Sequence, residues 1–521
     1  MLALGSRLAL ALIGCVIAGT AGAQPSAAQQ QRALPPLNLV PSAPDALGRV
    51  PDHLVWLRPG LQSVQDPVDG QLVFINDDGH VVGRAALPPQ FRIGRIVPAP
   101  DQVRLFNAQG DRQVVVDRRI DPGAVSALAA SAVGTDRSPA TPRIVRRAPN
   151  AVVFDSQRRA GDAPLEVRSI TDGALAEVYE IGASDDGDRF IVGEEIADAQ
   201  PLRVRVLVRR YSRSGALTGI AFVPLHQMDV VPRDFVTVTA GGMLRVLVPT
   251  ANGVTIREMQ FSPPGALPPR DGAQRDDSLR RLGRITRDIA IETNVPRIRG
   301  DRSFRPDGPR FRIRVATPPI SREQVLAKAR AYLSVNWTMT AENYARPGID
   351  NLCQPQQARF WLRPIRFTAA TIGKTIGPMP YKWGGDDTPE SFRLRMDWGA
   401  LAGDVCTCRD PALDYCLIAE SAGVDCSGFV SRAWGIAKRG TAGLHDVASE
   451  LTGLGQMRPG DAFNRPGRHV RLLLRREPGP LLSYTVLESA LGRGCEGVCM
   501  RSYRPSELNG YRLIRYRGIG D

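Results

Sequence analysis

The chain has 521 residues, more than one hydrophobic core usually organises, so two domains are expected. Hydrophobic residues make up 43% and charged residues 23%, ordinary globular usage that excludes a disordered chain. The formal charge is +14 with a pI near 9.8, and the basic excess is almost all arginine, lysine occurring only at Lys328, Lys374, Lys382 and Lys438. With no lysine-rich run and no basic stretch interleaved with aromatics, the charge argues against a nucleic-acid partner.

The chain opens "MLALGSRLALALIGCVIAGTAGAQ": one positive charge at Arg7, an apolar run from Leu8, then small residues at Ala21–Ala23 before Gln24. That order predicts a secretory signal peptide over residues 1–23, followed by a linker over 24–43, in a periplasmic or secreted protein. The apolar run is too short to span a membrane. "LIGC" ending at Cys15 also resembles a lipoprotein cleavage box, but the apolar run continues past it, so lipid anchoring through Cys15 is the second reading.

Residues 44–262 are dominated by short β-branched or alternating runs broken by glycine turns, among them "LVFINDDGHVVGRAAL", "VRLFNAQGDRQVVVD", "VRVLVRRYSRSGALTGIAFVPL" and "VTVTAGGMLRVLVPTANGVTIREMQF". Each reads as strand, tight turn, strand. Their recurrence predicts an all-β, propeller-like domain of five blades, with a β-sandwich as the alternative because the runs share no repeat signature. His53, His80 and His226 have no partner cysteines or paired carboxylates at ligand spacing, and each reads as a surface or turn histidine.

Residues 263–317, rich in proline and arginine, read as a linker. A helix is predicted in "PPISREQVLAKARAYLSVNW", with Ser321 as cap, Gln324 completing a capping box, Ile320 and Val325 as the staple, and an apolar face of Val325, Leu326, Ala329, Tyr332 and Leu333. It opens a second domain, 318–521. Apart from Cys15 every cysteine lies there: Cys353, Cys406, Cys408, Cys416, Cys426, Cys495 and Cys499. Export favours disulfides over a metal site, since "CTCRDPALDYC" has no nearby histidine and no zinc spacing; no cofactor is expected. An odd number leaves one thiol unpaired.

Cys426 is the candidate. In "GVDCSGFVSRAWG" it follows a capping Asp425 and opens a helix whose buried face is Phe429, Val430, Ala433 and Trp434. The helix N-terminus favours the thiolate and supplies N–H groups for an oxyanion, whereas the Asp425 carboxylate opposes ionisation, so a histidine partner is needed. His469 opens the strand "HVRLLL" and Glu488 sits in the next, "YTVLESA", giving the nucleophile, base and orienting group of cysteine hydrolases. His445 is the second candidate base. The alternatives to these roles are a disulfide cysteine, a structural strand histidine and a salt-bridged carboxylate.

The ordered motifs "PYKWGG" (380–385), "DCSGFV" (425–430), "MRPGDAF" (457–463) and "RHVRLLL" (468–474) resemble those of the NlpC family of bacterial cell-wall peptidases over roughly residues 320–518. The resemblance implies a papain-like α+β core, Cys426 as nucleophile, His469 as general base and Glu488 as third group. It also implies that Tyr381 lines the cleft, that Asp425 and Ser427 touch substrate or hold the nucleophile loop, and that the bond cut joins γ-D-glutamate to diaminopimelate in peptidoglycan stem peptides. Two departures stand out: a cysteine-containing insertion between "WGG" and "DCSG", and Arg471 where a small residue is commoner. The alternative is an envelope or cell-wall binding protein whose β domain recognises a partner while the peptidase fold is a scaffold.

Overall fold

A computed structural model of the chain describes residues 34–37, 50–66, 69–89, 91–107, 109–133, 143–155, 164–170, 173–250, 253–264, 279, 282–293, 319–345, 364, 366–405, 418–477, 482–491 and 495–520. The expected signal peptide lies outside these residues, as do Cys15, Cys353, Cys406, Cys408 and Cys416. Residues Pro36–Asp521 form one compact unit.

Five antiparallel sheets follow one another along the chain, each built from consecutive strands. The first holds β1 (Asp52–Arg58), β2 (Leu61–Gln65), β3 (Leu72–Ile75) and β4 (Val81–Ala85), and the second β5 (Ile93–Pro98), β6 (Gln102–Asn107), β7 (Arg112–Asp117) and β8 (Ala130–Ala132). The third has three strands, β9 (Arg143–Ala148), β10 (Ala151–Asp155) and β11 (Leu165–Arg168). The fourth holds β12 (Ala174–Ala183), β13 (Arg189–Ala199), β14 (Leu202–Tyr211) and β15 (Leu217–Val223); the fifth holds β16 (Val236–Val238), β17 (Leu244–Thr250), β18 (Gly253–Gln260) and β19 (Arg284–Ile291). These sheets form the β region. The turns fall where glycine permits them: Gly79, at φ +86°, closes the β3–β4 hairpin, and a Cβ there would meet the Ala290 carbonyl oxygen at 1.9 Å. The first and fifth sheets therefore abut, and the Glu292 N–H donates to the Gly79 carbonyl at 3.0 Å.

Two expectations need correction. Residues 284–291, read as linker, form β19, paired with β18 from Val254 opposite Ile291 to Gln260 opposite Arg284. It is an edge strand in which only Ile289 and Ile291 are buried, so its arginines and aspartate face water and hide the alternation. His53, read as a surface or turn histidine, is 4% exposed, and its Nδ1–H donates to Asp234 at 2.8 Å. Spacing along the chain could not reveal a carboxylate 181 positions away. His80 and His226 are exposed, as read.

In the C-terminal region, helix α1 (Arg322–Leu333) starts at Ser321, which accepts from the Gln324 N–H while Gln324 accepts from the Ser321 N–H, the reciprocal box that satisfies two N-terminal donors. Val325, Ala329 and Tyr332 are its buried face. After the short α2 (Ala341–Tyr344) come α3 (Pro389–Asp397) and α4 (Cys426–Ala433). Six later strands are β20 (Ala448–Glu450), β21 (Ala462–Arg465), β22 (His469–Arg476), β23 (Tyr484–Ala490), β24 (Gly497–Tyr503) and β25 (Arg512–Tyr516). They make one sheet in the order β20-β25-β21-β22-β23-β24, antiparallel throughout.

Alternation across this sheet feeds two cores. Ala462, Val470, Leu472, Leu487 and Ile514 join Phe429, Val430 and Trp434 of the α4 segment, and Tyr332 of α1 meets Phe429 edge-on at 5.3 Å. Their neighbours Phe463, Leu473, Val486 and Leu513 join Phe190, Val206, Val236 and Val246 of the β region. One sheet is thus shared, and the two regions are held by a common apolar core and by main-chain pairing between Leu202 and both Gly510 and Tyr511 at 2.7 Å. Each large apolar side chain buried here contributes about 1.5–3 kcal/mol.

Candidate active site

Cys426 is the first residue of α4 and is completely buried. Asp425 is the cap in extended backbone, its Oδ1 accepting from the Gly428 N–H at 2.5 Å and from the Ser427 hydroxyl at 3.0 Å. Its Oδ2 accepts from Lys438 Nζ at 2.7 Å, so the negative charge beside the thiol has a cationic partner. Asp425 and Ser427 are both 2% exposed and hold the helix start.

The glycines of "WGG" and "DCSG" let two backbones touch. A Cβ on Gly428 would lie 2.2 Å from the Gly385 carbonyl oxygen, and one on Gly385 would lie 2.5 Å from that of Gly423. Into this contact the Asp425 N–H donates to the Gly385 carbonyl at 3.1 Å. Tyr381, fully buried, bridges to Val424 and packs with Leu491, Trp383 and Val405. The Tyr381 N–H donates to the carbonyl of Glu496, which lies inside the Cys495–Cys499 disulfide. Cys426 itself is a thiol, not half of a disulfide.

Helix α4 packs on β22 and β23, the strands that carry His469 and Glu488. The Ser489 hydroxyl donates to the Val424 carbonyl at 2.7 Å, tying β23 to the loop before Cys426. Glu488, with no exposed surface, is held at both oxygens. Its Oε2 accepts from His469 Nε2 at 2.8 Å and Arg471 Nε at 3.0 Å; its Oε1 accepts from the Tyr503 hydroxyl and lies 4.0 Å from Arg501 Nε. Burial alone would push this carboxyl up, but Arg471, His469 and Arg501 outweigh it and hold Glu488 well below the usual carboxylate range. An ionised carboxylate only accepts, so His469 Nε2 is the donor of this bond.

Arg471, the departure noted in the sequence, has a clear role. Its guanidinium lies over the Tyr503 ring at 3.8 Å and the Tyr511 ring at 4.6 Å, a sandwich that fixes its fork against Glu488. Burial pushes the Tyr511 hydroxyl up, Arg471 and Arg465 pull it down, and Glu488 and Cys426 push it up again. Tyr511 therefore feels both the thiol and the carboxylate. On the β-region side a cleft opens between Leu225, Met228 and Val231 and the C-terminal Arg465, Arg471 and Tyr511.

His445, the second candidate base, bonds Asn464 at 3.2 Å and faces Glu450 at 3.5 Å; burial lowers its pKa. Tyr503, Tyr511 and Arg501 escaped the sequence reading because residues 13 or more positions from Glu488 carry no local signal. Arg471 did carry one, an arginine interrupting the apolar run from Val470 to Leu474.

No family model matches the chain, and no curated protein matches it. Among solved structures it is similar to a Bacteroides fragilis protein described as exported (11% identity, TM-score 0.19, covering 44% of this chain and 74% of that one). It is also similar to Kluyveromyces lactis Hsv2 (12%, 0.17, 46% and 63%) and to YCF48 bound to D1 peptide (13%, 0.19, 49% and 73%). Among the described residues, no helix is long and apolar enough to cross a membrane.

Proposed function

We propose that the protein is an exported cysteine peptidase of the NlpC type that hydrolyses an amide bond in peptidoglycan stem peptides, the γ-D-glutamyl-diaminopimelate bond. One observation carries the reading: His469 donates through Nε2 to the fully buried Glu488, and both stand on the strands against which the Cys426 helix packs. In mechanism His469 takes the thiol proton and Cys426 Sγ attacks the amide carbonyl. The main-chain N–H groups at the start of α4 stabilise the oxyanion, the amine leaves with the proton from His469, and water then frees the acyl group. The helix on an antiparallel sheet is read as a papain-like core, and the five sheets as blades of a closed propeller, supported by the contact between the first and fifth. The test is incubation of the protein with purified muropeptides and mass spectrometry of the fragments. Cleavage that disappears in Cys426→Ala supports the reading, and intact muropeptides refute it.

A second reading, an envelope-binding protein built on a peptidase scaffold, is favoured by burial. Cys426 and Tyr381 are 0% exposed and His469 1%, so a substrate needs an opening beside them. Muropeptide binding without cleavage would select this reading.

A further inference from the structure

Tyr503 and Arg504 are consecutive residues where β24 ends, and they serve different partners. The Tyr503 hydroxyl donates to Glu488 Oε1, and its ring supports Arg471. The next side chain reaches into the β region: Arg504 Nη1 donates to Asp234 at 2.9 Å, its Nε lies 3.1 Å from Glu177, and the guanidinium sits over the Tyr179 ring at 4.5 Å. Asp234 is itself gripped by His53 on β1, and Glu177 stands on β12. Two residues further on, the Ser506 N–H and hydroxyl donate to Glu194 of β13 at 2.8 and 2.6 Å. Two neighbouring strands of the fourth sheet, and the turn at Asp234 that His53 of the first sheet holds, thus converge on one short segment, whose first residue clamps the carboxylate that His469 bonds.

We propose that Tyr503 and Arg504 are positioning residues that make the orientation of Glu488, and through it the His469 Nε2–H, depend on the β region. The catalytic part of this inference rests on the peptidase reading; the structural part does not. A planar arginine bridges Asp234 and Glu177 together, which the compact ammonium of a lysine does less well. Arg504→Lys therefore keeps the charge and loosens the grip, while Tyr503→Phe removes only the hydroxyl.

The experiment uses the full chain with 15N-labelled histidine, which contributes only five residues, with His469 assigned by its loss in His469→Gln. The readout is solvent exchange of the His469 Nε2–H. Tyr503→Phe and Arg504→Lys should each speed it by up to about tenfold, the worth of roughly one hydrogen bond. Asp234→Asn, which withdraws the charge of the carboxylate that Arg504 Nη1 holds at 2.9 Å with little change of volume, should act in the same direction and serves if Arg504→Lys fails to fold. On muropeptides the same variants should lower kcat with KM unchanged. Exchange unchanged in Arg504→Lys and Asp234→Asn would overturn the proposal, as would unchanged exchange in Tyr503→Phe. Exchange that responds in a protein that cleaves no muropeptide would uphold the coupling and refute the peptidase reading.

Discussion

Two glutamates, one in each region, have no exposed surface and pair with a buried arginine. Glu195 of the β region accepts from Arg209 Nη2, the Ser169 hydroxyl at 3.0 Å and the Ile170 N–H at 3.1 Å. Glu488 of the C-terminal region accepts from Arg471, Tyr503 and His469. The first knot fastens a loop to a sheet through a guanidinium, a hydroxyl and a main-chain N–H. In the second, one partner is the His469 imidazole, the side chain proposed as general base. A buried arginine–carboxylate pair is thus no sign of chemistry by itself; the histidine gives this one a direction.

That contrast can be broken at its strongest point first. Cys426→Ala should abolish muropeptide cleavage, a loss of about 10⁴-fold or more, with melting temperature little changed. Glu488→Ala should follow at about 10³-fold and Glu488→Gln at about tenfold, since the amide keeps an acceptor for His469 but not the charge. Kinetics on the same muropeptides would check this order, and undiminished activity in both Glu488 variants would mean that another group orients the histidine. Glu195→Ala should do the opposite, lowering unfolding free energy by about 3–5 kcal/mol in denaturant titration because it strands Arg209, while kcat per folded molecule stays within about twofold. A loss of kcat there as deep as in Glu488→Ala would erase the distinction between the two glutamates.

A smaller effect concerns pH. Burial pushes the Glu177 carboxyl from its ordinary 4.5 up to about 8 despite the opposing pull of Arg504, with Glu194 and Glu507 adding to the rise. Below about 4.5 it is protonated both folded and unfolded; above that the unfolded chain releases a proton that the folded chain keeps, so its contribution to stability falls as pH rises and levels off near 8. Glu177→Gln should flatten the decline of melting temperature between about pH 5 and 8, and an unchanged slope would show that Glu177 is ionised in the folded protein. The Glu488 contribution has the other sign: it is present above the ordinary value of 4.5 and is lost as pH falls toward the depressed folded value.

The sequence made some of this legible and hid the rest for physical reasons. Hairpins such as β3–β4 and β17–β18 declare themselves through β-branched runs on either side of a glycine turn, and Ser321 and Asp425 mark their helices because capping acts within three residues. β19 was hidden because only two of its residues face inward. Cys426, His469 and Glu488 were proposed from short motifs, but the clamp of Arg471, Tyr503 and Tyr511 depends on the fold of the sheet. The anchoring of Arg504 depends on a turn and a strand about 270 and 330 positions away. The sequence of the last sheet carries no signal that its second face is covered by the β region.

Hydrolysis at one bond decides the assignment. Muropeptides incubated with the protein in H₂¹⁸O and analysed by mass spectrometry should yield fragments cut between γ-D-glutamate and diaminopimelate. One ¹⁸O should enter the newly formed glutamyl carboxyl, with none entering in Cys426→Ala. Intact muropeptides, or cleavage of equal rate in Cys426→Ala, would contradict the roles given to Cys426, His469 and Glu488.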